Sequence, residues 1–146
     1  MDYEPISVIK SEVVSRGLSV RRIKSGEIVI FHSGYSENCL QPSDIGKACV
    51  SDPLKGKREG WPSLSPDTVL YLAQRGIRCV GTDGPRIGDA DEKRALMTYW
   101  ALASHGMVAV EYLTNIDQLS DRTYFLFAAT KIANCHGGPG RAIAIF

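Results

Sequence analysis

Glu111 stands inside an apolar stretch, Gly106-Met107-Val108-Ala109-Val110-Glu111-Tyr112-Leu113, where a carboxylate faces either a pocket or a partner. Burial penalises its charge unless a hydrogen bond or a cation compensates. The Tyr99 phenol and the Arg141 guanidinium are the candidate partners. A pocket built from the three would suit acid–base or cyclisation chemistry without a metal, so Tyr99, Glu111 and Arg141 form the candidate catalytic set. Asp83, in Gly81-Thr82-Asp83-Gly84-Pro85, closes a strand. Strand ends of this kind border the ligand crevice in α/β sheets, and an aspartate there can also bond its own turn amides. Asp83 and His136 are the candidate substrate contacts.

Other chemistries find less support. The three histidines, His32, His105 and His136, are scattered. His105 precedes Gly106 at a helix end and reads as a cap on free carbonyls, while His136 lies in a glycine-rich loop where it meets water or a ligand. No serine sits in a nucleophile-elbow context. Gly137-Gly138-Pro139-Gly140 lacks the Lys-Ser/Thr tail of a phosphate loop and opens no helix, so it reads as a tight turn that sets Arg141. Cys39, Cys49, Cys79 and Cys135 form no Cys-x-x-Cys pair and read as structural thiols of a reducing cytoplasm. The net charge of +1 gives no reason to expect nucleic acid or a membrane surface as partner. No apolar run approaches the roughly 20 residues that span a bilayer. The opening Met1-Asp2-Tyr3-Glu4-Pro5 has neither a basic leader nor an apolar stretch, so no secretory signal is expected.

The elements that must position these residues follow from periodicity and punctuation. Apolar positions at Ile6, Val8, Ile9, Val13 and Val14 predict a short helix to Arg16, stopped by Gly17. Glu27 to His32 reads as a buried strand after a Ser25-Gly26 turn. Gly34 to Ser63 has no clear period and reads as a long excursion. Ser65-Pro66-Asp67 opens a helix with a cap, a proline and a dipole-matched acid, and Gly76 ends it. Strands follow at Ile77–Thr82, Met107–Leu113, Tyr124–Ile132 and Arg141–Phe146, with a helix from Asp91 to Ser104 that sets Tyr99 beside Leu96 and Ala103. The pattern predicts a single α/β domain over residues 1–146, a mixed sheet with flanking helices.

Four stretches carry a resemblance: Gly60-Trp61-Pro62-Ser63-Leu64-Ser65-Pro66, Gly81-Thr82-Asp83-Gly84-Pro85, Gly106 to Asn115, and the closing His136 to Phe146. In this order they resemble the second half of the cyclase-like metal-dependent hydrolases, the family of bacterial kynurenine formamidase and isatin hydrolase. The resemblance implies the family's swivelling β/β/α fold, truncated at the N-terminus, and zinc or manganese activating water against an amide or lactam carbonyl. It also implies that most metal ligands lie in a His-x-Gly-Thr-His-x-Asp segment, which this sequence lacks. Glu111 matches the family glutamate, but Tyr99, twelve residues earlier, stands where the family has histidine. A phenol with a pKa near 10 is a poor substitute for imidazole, and one carboxylate does not hold a catalytic ion.

Three readings follow. The first is a divergent, degenerate family member, a pseudoenzyme that acts as a ligand-binding or partner subunit and carries no cofactor by itself. The second is an arylformamidase-like hydrolase, acting on the C–N bond of an amide or lactam. Its zinc or manganese would be held by Glu111 with ligands from another chain. The third is a metal-free acid–base enzyme using Tyr99 and Glu111. Exposed edges and apolar faces predict an oligomer, either with itself or with a longer cyclase-family paralogue. A small-molecule ligand is compatible with all three readings, and the expected location is cytoplasmic.

Overall fold

The computed structural model describes residues 4–10, 23–39, 41–119 and 123–145. Within them the strands are β1 (Glu4–Lys10), β2 (Ile28–His32), β3 (Cys79–Thr82), β4 (Val108–Val110), β5 (Tyr124–Ala129) and β6 (Gly140–Ile145). The helices are α1 (Tyr35–Cys39), α2 (Ser43–Leu54), α3 (Pro66–Gln74) and α4 (Glu92–Ser104), with a 3-10 turn at Ile116–Gln118. The strands form one mixed sheet in the order β4-β3-β2-β1-β5-β6. β1 to β4 run parallel, Ile6 opposite Ile28, Val29 opposite Val80 and Val80 opposite Ala109. β5 and β6 form an antiparallel hairpin that joins β1. Mixed α/β with helices against the sheet is the class that the pattern predicted. Among the described residues, no helix is long and apolar enough to cross a membrane.

Side-chain alternation builds two cores. On the helix-covered face Val29 and Val80 meet Val69 and Leu72 of α3 and Leu102 of α4. On the other face Ile28, Ile30 and Val110 meet Leu113, Ile116 and Phe125. A period of two places neighbours along a strand on opposite faces.

Helix ends follow their punctuation. Ser65 Oγ accepts from the Thr68 amide at 3.2 Å, and Asp91 Oδ1 accepts from the Arg94 amide at 3.0 Å. At the far end of α3, Gly76 takes φ +79, its amide donates to Ala73 O, and the Ile77 amide donates to Leu72 O. α4 closes the same way through Gly106 and Met107, and His105 Nδ1–H donates to Ala101 O at 2.9 Å, the capping role expected of it. These paired bonds satisfy carbonyls that a helix end leaves open.

Two sequence expectations fail. The segment expected to be a helix from Ile6 begins as strand β1, where Ile6, Val8 and Lys10 pair with β2. Its apolar positions fit a period of two as well as a helix, and the parallel neighbour decides between them. The rest of that expectation, with the Gly17 stop, lies outside the described residues, as do Met1 to Tyr3 and Phe146.

The Gly34–Ser63 excursion is not structureless, because it contains α1 and α2. Gly46 and Pro53 mask the second helix. Pro53 has no amide to give the Cys49 carbonyl four residues back, which leaves that oxygen open. The Tyr35 hydroxyl takes the place, donating to Cys49 O at 2.7 Å.

Gly81 of β3 faces the second core, where Leu113 and Ile30 close over it. A Cβ there would lie 2.8 Å from Leu113 Cδ1 and 3.1 Å from Ile30 Cγ1. Gly81→Val is expected to destabilise the fold by about 1–3 kcal/mol through overpacking, read as a lower urea midpoint. An unchanged midpoint would show that Leu113 and Ile30 have room to move aside.

Candidate functional site

Three adjacent parallel strands deliver polar groups at their carboxyl ends: Ser33 just beyond β2, Asp83 after β3 and Glu111 after β4. That edge is where ligands bind in parallel α/β sheets.

Asp83 is 1% exposed, and its bonds are long-range. Oδ1 accepts from the Ser33 amide at 3.0 Å and the Ser33 hydroxyl at 2.8 Å, and Oδ2 accepts from the Tyr35 amide at 2.9 Å. The expectation that it bonds its own turn is therefore corrected. Thr82 serves that turn, its Oγ1 accepting from the Gly84 amide at 3.0 Å. Asp83 instead fastens the exit of β2 to the exit of β3. A fully engaged, buried carboxylate is a brace here, with no face open to a ligand.

Glu111 and Tyr99 do meet. The Tyr99 hydroxyl donates to Glu111 Oε1 at 2.5 Å, and the Ile87 amide donates to the same oxygen at 2.8 Å. Tyr99 comes from α4, Ile87 from the loop after Asp83, and Glu111 from the end of β4. The ring does not share a face with Leu96 and Ala103 as expected: Leu96 is 67% exposed, whereas Tyr99 packs against the helix-side core. Its neighbours one turn away, Ala95 and Leu102, are buried, and a Cβ at Gly88 would lie 3.2 Å from Tyr99 Cε2. Glycine at position 88 makes room for the ring.

Arg141 and His136 are elsewhere. Arg141 lies on β6 opposite Ala128, exposed to solvent, and His136 is exposed in the loop between β5 and β6. Since β4 and β6 are the two edges of the sheet, five strand steps separate them, roughly 24 Å at the usual spacing. Arg141 is thus not the partner of Glu111.

The arginine that serves this cluster is Arg86, whose positive charge acts on the Tyr99 hydroxyl. It follows Pro85 in an aperiodic loop, so only its place beside Asp83-Gly84-Pro85 could have marked it. Tyr35 and Ser33 were likewise missed, because their roles depend on contacts some 50 residues away along the chain.

Burial pushes the Tyr99 hydroxyl up to about 12, helped by its bond to Glu111 and that carboxylate's charge, while Arg86 pulls the other way. Burial also raises the hydroxyls of Tyr112 and Tyr35. Tyr112 holds φ 58, unusual for a bulky residue, with its amide donating to Gly84 O at 3.0 Å.

The donors around Glu111 are a phenol O–H, a backbone N–H and, one step removed, a guanidinium. Such a surround offers protons, whereas a divalent cation needs lone pairs. Among the described residues no group of three or more His, Cys, Asp or Glu side chains converges to hold a metal ion. The residues present therefore do not fit a zinc or manganese centre as they stand.

A Cyclase family model matches residues 3–89. The kynurenine formamidase of Bacillus cereus is 31% identical over 127 residues, 86% of this chain and 57% of that protein. The kynurenine formamidase of Erythrobacter litoralis is 31% identical over 86 residues, 59% of this chain and 39% of that protein. Among solved structures, an isatin hydrolase bound to the product analogue thioisatinate aligns with a TM-score of 0.70 at 19% identity, over 97% of this chain and 59% of that one. A predicted metal-dependent hydrolase from Bacillus stearothermophilus aligns with a TM-score of 0.63 at 19% identity, over 96% of this chain and 62% of that one. The chain thus spans 57% of the length of the Bacillus cereus protein.

The raised Tyr99 value sets a pH dependence. It lies above the 10.0 of a free phenol, so folding favours the protonated hydroxyl. That contribution is whole below pH 10 and is lost as pH rises toward 12. Ultraviolet titration is expected to show late-ionising tyrosines, the latest of which vanishes in Tyr99→Phe. The same variant, with one donor fewer on Glu111, is expected to lose about 1–2 kcal/mol of stability in urea. A Tyr99→Phe protein with an unchanged titration curve and urea midpoint would show that the bond has no weight.

Proposed function

Since the chain belongs to the Cyclase family, we propose that it is a divergent member that does not activate water on a metal by itself and serves as a ligand-binding or partner subunit. The observation that carries this reading is the engagement of Glu111 Oε1 by Tyr99 and Ile87. A ligand that took Oε1 would have to displace both donors. What remains at the carboxyl edge is hydrogen-bonding capacity from Arg86 and Tyr112, suited to a small polar molecule.

A second reading is supported by the lengths. Relatives such as the Bacillus cereus kynurenine formamidase extend well beyond the matched portion. A longer cyclase-family paralogue, or another copy in an oligomer, would then bring the missing ligands to Glu111. The completed centre would be a zinc- or manganese-dependent hydrolase of the arylformamidase kind, cutting the C–N bond of an amide or lactam. For that to happen the Tyr99 hydroxyl must release Glu111. In the metal-free acid–base reading with Tyr99 and Glu111, Tyr99 would serve as the acid, since a phenol whose pKa is raised to about 12 is almost wholly protonated at neutral pH.

Metal analysis separates the first two. After incubation with zinc or manganese and dialysis, the purified chain is expected to retain far less than one ion per chain and to leave a formanilide uncut. Stoichiometric metal with hydrolysis by the chain alone would overturn the first reading. Metal and activity that arise only on mixing with a longer paralogue would establish the second.

A further inference from the structure

Beyond the Glu111 cluster, two of the four cysteines have been brought together. Cys39 is the last residue of α1 and Cys49 lies within α2. Three observations define their relation. First, the two helices touch beside both residues: the Tyr35 hydroxyl, one turn before Cys39, donates to Cys49 O at 2.7 Å, and the Cys49 thiol lies near enough to raise the Cys39 thiol electrostatically. Second, the backbones approach closely one helical step away. A Cβ at Gly46 would lie 2.7 Å from Cys39 O, and positions 46 and 49 share a face of α2. The end of α1 is thus seated on the face of α2 that presents Cys49. Third, access is unequal. Cys49 is 2% exposed, whereas Cys39 lines an open groove of about 650 Å³ with Gly46, Lys47, Val50 and Tyr112. Cys79 and Cys135 have no such arrangement: Cys79 packs against the second core, and exposed Cys135 donates to Gly137 O.

We infer that Cys39 and Cys49 form an intrachain oxidation site, in which Cys39 meets a small-molecule disulfide from the groove and Cys49 resolves the adduct. In the first step the Cys39 thiolate attacks one sulfur of the reagent, whose S–S bond breaks and releases one thiol carrying the proton that Cys39 gave up. In the second step Cys49 loses its proton and attacks the Cys39 sulfur of the mixed disulfide, forming the protein S–S bond and expelling the second thiol. Two protein thiols are oxidised and one external disulfide becomes two thiols. The bond would pin α1 to α2. The residues ahead of Cys39 include Ser33 and Tyr35, which Asp83 holds, so oxidation would fasten the exit of β2 a second time. Burial and the neighbouring Cys49 keep Cys39 protonated at neutral pH, and Arg58 only partly offsets them. The exchange is therefore slow at neutral pH and is best followed in mildly alkaline buffer.

The test uses the whole chain with oxidised glutathione, followed by alkylation of remaining thiols and tryptic digestion without reductant. Cleavage after Lys47 puts the two cysteines on separate peptides, Ser25–Lys47 and Ala48–Lys55. The expected product is those two peptides joined, separating on reduction. Cys49→Ser is expected to stop at a stable glutathione adduct on Cys39, and Cys39→Ser to leave Cys49 unmodified. The inference is overturned if Cys135 takes up glutathione while Cys39 and Cys49 both stay open to alkylation after unfolding. A wild-type chain that ends with glutathione held on Cys39 and Cys49 still a thiol would overturn it equally.

Discussion

A single carboxylate oxygen, Glu111 Oε1, receives the Tyr99 hydroxyl and the Ile87 amide. The pair of bonds joins three elements: helix α4, the loop that leaves β3, and the exit of β4. Half-buried charge has to be compensated, and hydrogen bonds gain strength where water is scarce. The requirement therefore fixes the ring of Tyr99 beside Gly88, with the charge of Arg86 acting on its hydroxyl. It also decides the chemistry of the site. Lone pairs that would face a divalent ion face protons instead.

The second carboxylate at the same edge does a different job by the same physics. Asp83 is sealed from solvent and spends both oxygens on Ser33 and Tyr35. From Tyr35 the order spreads outward. Its hydroxyl completes the Cys49 carbonyl that Pro53 leaves open, and its ring meets Trp61 edge-on at 6.2 Å between centroids. Trp61 in turn donates through its indole N–H to Gly88 O at 2.8 Å, beside Tyr99. Asp83 and Glu111 are thus linked through one continuous set of contacts, by way of Tyr35, Trp61, Gly88 and Tyr99.

The two faces of the sheet are not equally covered. α3 and α4 lie on one, closing around Val69, Leu72 and Leu102. On the other, the core around Ile30 and Phe125 is roofed by Leu113 and Ile116 and flanked by Ala142 of β6, whereas Ile143 and Ile145 alternate to the opposite face, beyond the helices, and stay more than 40% exposed. β6 is an edge strand whose outer residues alternate small and apolar, with Arg141 its one charge. Natural edges usually carry more charge than that. This asymmetry is the physical basis for expecting a protein neighbour, and it keeps the partner readings open to experiment.

Much of the frame was legible in the sequence because its signals are local. Ser65-Pro66-Asp67 and Asp91 start helices with their own side chains, and Gly76 and Gly106 stop them through backbone freedom that other residues lack. The continuous apolar runs of β2 and β3 mark strands buried on both faces. The Tyr99–Glu111 contact was also foreseen, from the resemblance that sets Tyr99 where the family has a histidine twelve residues before its glutamate. What tertiary structure alone decided is everything that depends on a neighbour distant along the chain. Ile6 to Lys10 became strand because β2 offered a parallel ladder. Pro53 was tolerated in α2 because Tyr35 reached its orphaned carbonyl. Arg141 was kept from Glu111 because strand order sends β6 to the opposite edge, and Arg86 acts on the cluster instead. Composition and spacing specify what each residue is able to do, but which of those capacities is used depends on sheet order and burial, and these belong to the whole fold.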